Sequence, residues 1–339
     1  MINKSFFILF VIFCFGVNVH AKELPSLFTV NIPADQYSNT NDGLNKAFNQ
    51  LIKKLSGSRN KRYLWRIGDA NLNKVDFVSS YSIDSIDDKE YLSVEFNRAT
   101  LIPELRKIDV PLIGFSRPVI LFLIKIDSGE GEPSFMSLNN PKDSIQISLQ
   151  TTLKDIAADR GVYLELPAFD LEDQNFLQQT NILFSPEEYI KGKFYNDELL
   201  SLEISRVGIN QWLINGDFNS QLSIQEDMVL DFFSEKVHLF LDSFLAVEPL
   251  EQGASGDRLM LSIAGLESFE DVQAVELELE KIFAIKSREL HFFDRANIEY
   301  QAQLFQTTDA LLKELRGSSK LYVREHNQDS AILYLEYLN

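Results

Sequence analysis

PVILFLIKI, residues Pro118 to Ile126, is apolar at every position except Lys125. A strand with one solvated face alternates between apolar and polar residues. A run without alternation belongs to a strand buried on both faces of its sheet, with helices above and below. This stretch therefore makes the middle of the chain an α/β domain, and its neighbours fit. An acidic loop, DSGEGEPS, leads to a helix from Asp143 to Arg160 stopped by Gly161, and VYLELP (Val162 to Pro167) is a second strand. Strand, helix and strand at that spacing predict a right-handed parallel crossover.

Working downstream, Ser185-Pro186-Glu187-Glu188 reads as a helix start, with Ser as cap and Pro in the first turn. Leu199 to Val207 and Gln211 to Phe218 flank Gly208-Ile209-Asn210 as a hairpin. A helix from Glu226 to Val247 carries Phe232, Phe233, Phe240 and Phe244. Its apolar stripe is wide enough to predict packing between the sheet and a neighbouring unit. We place this middle domain at 113–250.

Upstream, 22–112 reads as strand, helix, strand, strand, helix. Leu44, Ala47, Phe48, Leu51, Ile52 and Leu55 form one helical stripe. Strands follow at Val75 to Ile83 and Tyr91 to Phe96, joined by the charged turn Asp87-Asp88-Lys89, and a helix spans Thr100 to Ile108. After the Gly/Ser break EQGASGD, 256–339 runs strand, helix, strand, strand, helix and a final strand pair, the βαββαβ order of a ferredoxin-like split crossover. The first unit repeats most of that order. The predicted fold is thus α/β and α+β, in three small units.

Residues 1–21 read as a cleaved signal peptide: Lys4, an apolar run from Phe6 to Val17, and Val19-His20-Ala21 at the cleavage point. Phe13 before Cys14 lacks the small side chain that a lipoprotein signal requires. Cleavage after Ala21 would remove the one cysteine, leaving no disulfide and no thiolate metal site. A large cysteine-free exported chain is expected in a bacterial periplasm, with no transmembrane anchor after cleavage. The formal charge of −18 argues against nucleic acid as a partner.

The helix AFNQLIKKLSGS, the segment SRPVILFLIKID and the later LPAFDLED together resemble a family of Gram-negative envelope proteins, domain of unknown function 2066. The likeness spans Leu27 to Val247. It implies a periplasmic protein and no particular reaction. In strand order the middle unit also resembles the N-terminal domain of TolB.

Candidate chemistry is sparse. His238, His291 and His326 form no HExxH or His-x-His pattern, and no metal or cofactor is expected. Nucleophile elbows and phosphate loops are absent. Acidic groups occur at Asp84, Asp87 and Asp88; at Asp127, Glu130 and Glu132; at Asp170, Glu172 and Asp173; and at Glu187 and Glu188. None matches a calcium-binding loop. Asp170, Glu172 and Asp173 are best placed for carboxylate chemistry, because they follow VYLELP and ligands of parallel sheets bind beyond the strands' carboxyl ends.

One stretch runs against the net charge. From Leu44 to Arg66 there are seven basic residues and no acidic one. Lys53 and Lys54 suit a helix C-terminus, and Gly57 the left-handed stop after it. LLKELRGS (Leu311 to Ser318) ends its helix with the same Leu, Lys, Leu, Gly and Ser, but with mixed charge. Arg59, Lys61, Arg62 and Arg66 lie beyond what capping explains and are the candidate contacts to an anionic partner. The expectation is a non-enzymatic periplasmic binding or scaffold protein that meets another envelope protein or an anionic envelope component. The alternative is a hydrolase of an envelope glycan or peptidoglycan using the middle-domain carboxylates.

Overall fold

The computed structural model describes residues 22–86, 89–129, 131–179, 185–220, 222–246, 256–294, 296–305 and 307–338. The signal-peptide reading, the Asp87-Asp88 turn and most of the Gly/Ser break lie outside these. The chain folds as an α+β protein of three units.

The N-terminal unit contains β1 (Lys22–Glu23), β2 (Thr29–Pro33), α1 (Thr40–Ser56), α2 (Arg62–Asp69), β3 (Val78–Ile86), β4 (Lys89–Phe96) and α3 (Arg98–Lys107). Helix α1 starts because the Asn39 side chain accepts the Asp42 N–H at 3.0 Å, and it stops at Gly57, whose φ is +63°. The predicted stripe is buried against the antiparallel sheet β2-β4-β3. Helix α2 is absent from the sequence reading. At eight residues it shows no repeating stripe, and Ile67 is its one buried residue.

The middle unit contains β5 (Ser116–Arg117), β6 (Val119–Asp127), β7 (Ser134–Phe135), α4 (Ser144–Arg160), β8 (Tyr163–Glu165), α5 (Leu171–Gln179), α6 (Pro186–Lys193), β9 (Glu198–Gly208), β10 (Gln211–Gly216), β11 (Ile224–Gln225) and α7 (Val229–Phe244). Strand β6 pairs in parallel with β8 on one edge and β9 on the other. Ile120, Phe122 and Ile124 enter the large core with Leu149 and Leu153 of α4 and Phe233 and Val237 of α7. Leu121 and Leu123 enter a smaller core with Leu199, Phe169 and Ile190. Burial on both faces is what the unalternating run requires, at roughly 1.5–3 kcal/mol for each large side chain. Helix α6 departs from expectation in one detail: the Ser185 side chain makes no capping bond, and its backbone carbonyl accepts the Glu188 N–H instead.

The C-terminal unit contains β12 (Arg258–Ala264), α8 (Phe269–Lys281), β13 (Ile285–Phe293), β14 (Asn297–Leu304), α9 (Thr308–Leu315), β15 (Leu321–Asn327) and β16 (Ile332–Tyr337), in sheet order β13-β14-β12-β16-β15. The split crossover is present, because β14 lies between β12 and β13 and is antiparallel to both. The last strand of the ferredoxin-like order is doubled: β15 takes the edge, and its hairpin partner β16 returns parallel to β12. The order β2-β4-β3 repeats β12-β14-β13, so both terminal units share one βαββα arrangement.

The units are closed against one another by arginines and one buried carboxylate. The end of α1 has no helical partners for its last carbonyls, and the middle unit supplies them. The Lys54 carbonyl accepts from Arg117 Nη1 at 2.9 Å, the Leu55 carbonyl from the Ile113 N–H at 2.7 Å, and the Gly57 carbonyl from Arg160 Nη2 at 2.7 Å. In the C-terminal unit the Glu314 carboxylate accepts the Phe283 and Ala284 N–H groups at 2.7 and 3.1 Å. Arg106 of α3 donates to the Phe283 and Ile285 carbonyls, both at 2.9 Å. Phe283 completes the N-terminal core beside Phe28 and Phe115.

Candidate functional site

Two strand ends and three helix ends bound a cleft of about 480 Å³. Lys125 enters from the C-terminal end of β6, Glu132 from the segment before β7, Phe135 from β7, and Phe169 from the segment after β8. Gln174 and Leu177 come from α5, and Asn140 and Lys142 from the approach to α4. This is the position beyond the carboxyl ends of parallel strands where α/β sheets bind ligands. The floor is fixed by Ser137, whose hydroxyl donates to the Pro167 carbonyl at 3.3 Å and accepts the Phe169 N–H at 3.1 Å. Phe169 packs edge-on against Phe194. Lys125 pairs with Glu203 at 3.3 Å, while Lys142 is exposed.

The candidate carboxylates stand beside this cleft in fixed partnerships. Asp170 and Asp173 cap α5 reciprocally: Asp173 takes the Asp170 N–H at 3.0 Å, and Asp170 takes the Asp173 N–H at 2.8 Å. Asp173 is fully buried, accepts the Tyr189 hydroxyl at 2.6 Å, and is paired with the Lys193 ammonium. Those bonds outweigh burial and hold its carboxyl below the usual range, while Asp173 raises Lys193. Lys193 also reaches Asp170 at 3.2 Å. The pair therefore pins α5 to α6. Glu172 points into solvent. The spacing D-x-x-D at a helix start was the available signal for this role.

The other acidic groups divide in the same way. Asp127 accepts the Gly129 N–H and Asp84 the Ser82 hydroxyl. Glu132 is exposed at the rim of the cleft, and Glu187 and Glu188 are exposed in the first turn of α6; Asp87, Asp88 and Glu130 lie outside the described residues. Among the described residues no group of three His, Cys, Asp or Glu side chains could hold a metal ion. His238 sits on α7 with its Nδ1 3.4 Å from Arg160, and burial followed by Arg59 and Arg160 lowers its pKa.

The basic stretch is sorted by the fold. Lys46 binds Asp42, Lys53 faces Asp159 at 3.7 Å, and Lys54 donates to the Thr29 carbonyl at 3.1 Å. Burial depresses the Lys54 ammonium to about 8. Arg59 bridges Glu235 at 3.0 Å and Asp242 at 2.9 Å on α7, and Asp242 also meets Arg160 at 2.8 Å. Glu235, His238 and Asp242 lie on the face of α7 turned from its core, so this aromatic helix packs between its own sheet and the N-terminal unit. Arg66 caps α3 by donating to the Asp109 carbonyl at 2.6 Å. Lys61 and Arg62 are exposed, and neither side chain has an acidic or carbonyl partner among the described residues. On the same helix the Trp65 side chain, which the sequence reading passed over, is 69% exposed.

Comparison with known proteins adds one finding. No curated protein and no solved structure matches the chain. Residues 21–114, which include the whole N-terminal unit and helix α2, match the family model of a domain of unknown function, DUF8605. That match supports the coarser part of the resemblance drawn from the sequence, an uncharacterised domain.

Proposed function

We propose that this is a non-enzymatic binding or scaffold protein of the bacterial envelope, exported to the periplasm, whose middle unit holds an anionic envelope component in its cleft. The observation that carries this reading is the contrast at the cleft. Its lining offers the exposed Lys142 ammonium, amides and aromatic rings, with Lys125 already paired to Glu203 and the exposed Glu132 as a carboxylate at the rim, whereas the neighbouring Asp170 and Asp173 are committed to capping and to Lys193. A carboxylate pair that hydrolyses glycans needs one free acid and one free base or nucleophile. The leader-like N-terminus and the resemblance to the Gram-negative family of domain 2066 support the address.

The test is calorimetric titration of the purified protein with anionic peptidoglycan fragments, alongside an assay for their cleavage. Binding without turnover, weakened roughly ten-fold or more in Lys142→Gln by loss of a charge-assisted hydrogen bond, is the expected result. Turnover that disappears in Asp170→Asn with Glu172→Gln would establish the hydrolase instead. Asp173→Asn should lower stability by about 2 kcal/mol, through a weakened buried acceptor for Tyr189 and Lys193, and leave binding intact in the folded fraction.

A further inference from the structure

We propose that the outward face of α2, formed by Lys61, Arg62 and Trp65, docks on anionic phospholipid headgroups. The inference shares only the envelope address with the reading above and uses none of the cleft residues. Five of the seven cations between Leu44 and Arg66 are engaged within the protein, by Asp42, Asp159, the Thr29 carbonyl, Glu235 with Asp242, and the Asp109 carbonyl. The two that remain are adjacent in sequence, and Trp65 follows them by three and four positions, within one helical turn of both. The helix is seated by Ile67 on its other side and by Arg66.

An indole that projects from a helix beside two free cations has the composition of a membrane-interface anchor. The ring sits at headgroup depth, with the ammonium and guanidinium beside the phosphates. In a chain of net charge −18, a locally positive face also sets orientation, because most of the surface is repelled by anionic lipid. An acidic protein surface offers the same charge, but its Trp anchors characteristically enter a formed pocket, and a bilayer accepts a projecting ring without one.

The chain carries its own reporter. It has two tryptophans; Trp65 is 69% exposed and Trp212 is 3% exposed in the middle core. Protein recovered from the periplasmic fraction after export, with loss of the apolar run confirmed by mass, is titrated with vesicles of phosphatidylglycerol and phosphatidylethanolamine at low salt. The expected result is a blue shift of Trp65 emission and protection from acrylamide, reversed by salt and absent with phosphatidylcholine. Each of Lys61→Gln and Arg62→Gln should weaken binding about five-fold. Trp65→Phe should retain vesicle co-sedimentation in part and lose the shift. Cleft variant Lys142→Gln should bind vesicles as the parent does, so failure at the cleft and failure here are separable. Unshifted emission with anionic vesicles overturns the proposal, as does a shift that appears with polyglutamate and not with lipid, which would assign the face to an acidic protein.

Discussion

Glu314 makes the sharpest test of how the units are joined. Its carboxylate is enclosed by Phe283, Ala284 and Gly114; a Cβ on Gly114 would lie 2.4 Å from Glu314 Oε2. Burial pushes its pKa up from 4.5 to about 7, against the pull of two N–H donors and of Arg117 and Arg106. Arg117 is itself lowered to about 10 by burial, with Glu314 opposing. A carboxyl raised in the folded state keeps a proton that the unfolded chain has released. Its contribution to stability is therefore complete below about pH 4.5 and is lost as pH rises through about 7.

Linkage with these two values gives a loss of about 2–3 kcal/mol between pH 5 and pH 7.5. Glu314→Gln removes the titration and keeps the shape. The amide satisfies one of the two N–H groups, so the variant carries a fixed penalty of about 1–3 kcal/mol. The informative quantity is the pH dependence of the difference between parent and variant, measured by guanidinium unfolding. His238 changes stability with the opposite sign, rising as pH passes 6.5, but it does so in both proteins and cancels. Lys54, beside Arg117, titrates only at about 8. The variant's deficit should shrink by about 2–3 kcal/mol from pH 5 to 7.5. A difference constant to within about 0.5 kcal/mol would mean that Glu314 ionises normally and that the joint is not the low-dielectric site its geometry implies.

The remaining predictions concern the basic stretch. Arg59→Gln should cost about 1 kcal/mol in thermal or chemical unfolding, since its pairs with Glu235 and Asp242 are partly solvent-screened. Lys61→Gln and Arg62→Gln should each fall within about 0.5 kcal/mol of the parent. Gly57→Ala should destabilise by about 1–3 kcal/mol, because a Cβ at φ +63° would sit 2.4 Å from Ile113 Cδ1; a neutral result in a melting curve would show that the α1 stop is not clamped by the middle unit.

What could be read from sequence alone follows the range of the interaction. The double burial of Ile120 to Ile124, the extent and Gly161 stop of α4, and the stripe of α1 are encoded within one element, and the structure has them. Side-chain alliances across units are not encoded that way. Arg59 and Arg66 belong to one run of like charge, yet their partners lie in α7 and at the end of α3. Asp170 and Asp173 look like a catalytic pair by composition, and only the reciprocal N–H bonds and Lys193 reveal the cap. Helix α2 escaped because a single buried residue leaves no period to detect.

The choice of arginine at the joints has a consequence for the surface beyond them. Arg117, Arg160 and Arg106 each direct guanidinium N–H groups at carbonyls of another unit or of the intervening segment. A planar fork fixes direction as well as distance, unlike a lysine on a flexible stem. Leaving such a buried cation unpaired is far more costly than keeping it paired, so sliding at the joint is resisted. Helix α2 follows directly from the clamped end of α1, with Arg59 held by α7 between them. Its outward face is therefore held in a set orientation to the cleft. Loosening the clamp with Arg117→Lys should blur that geometry before it unfolds any single unit.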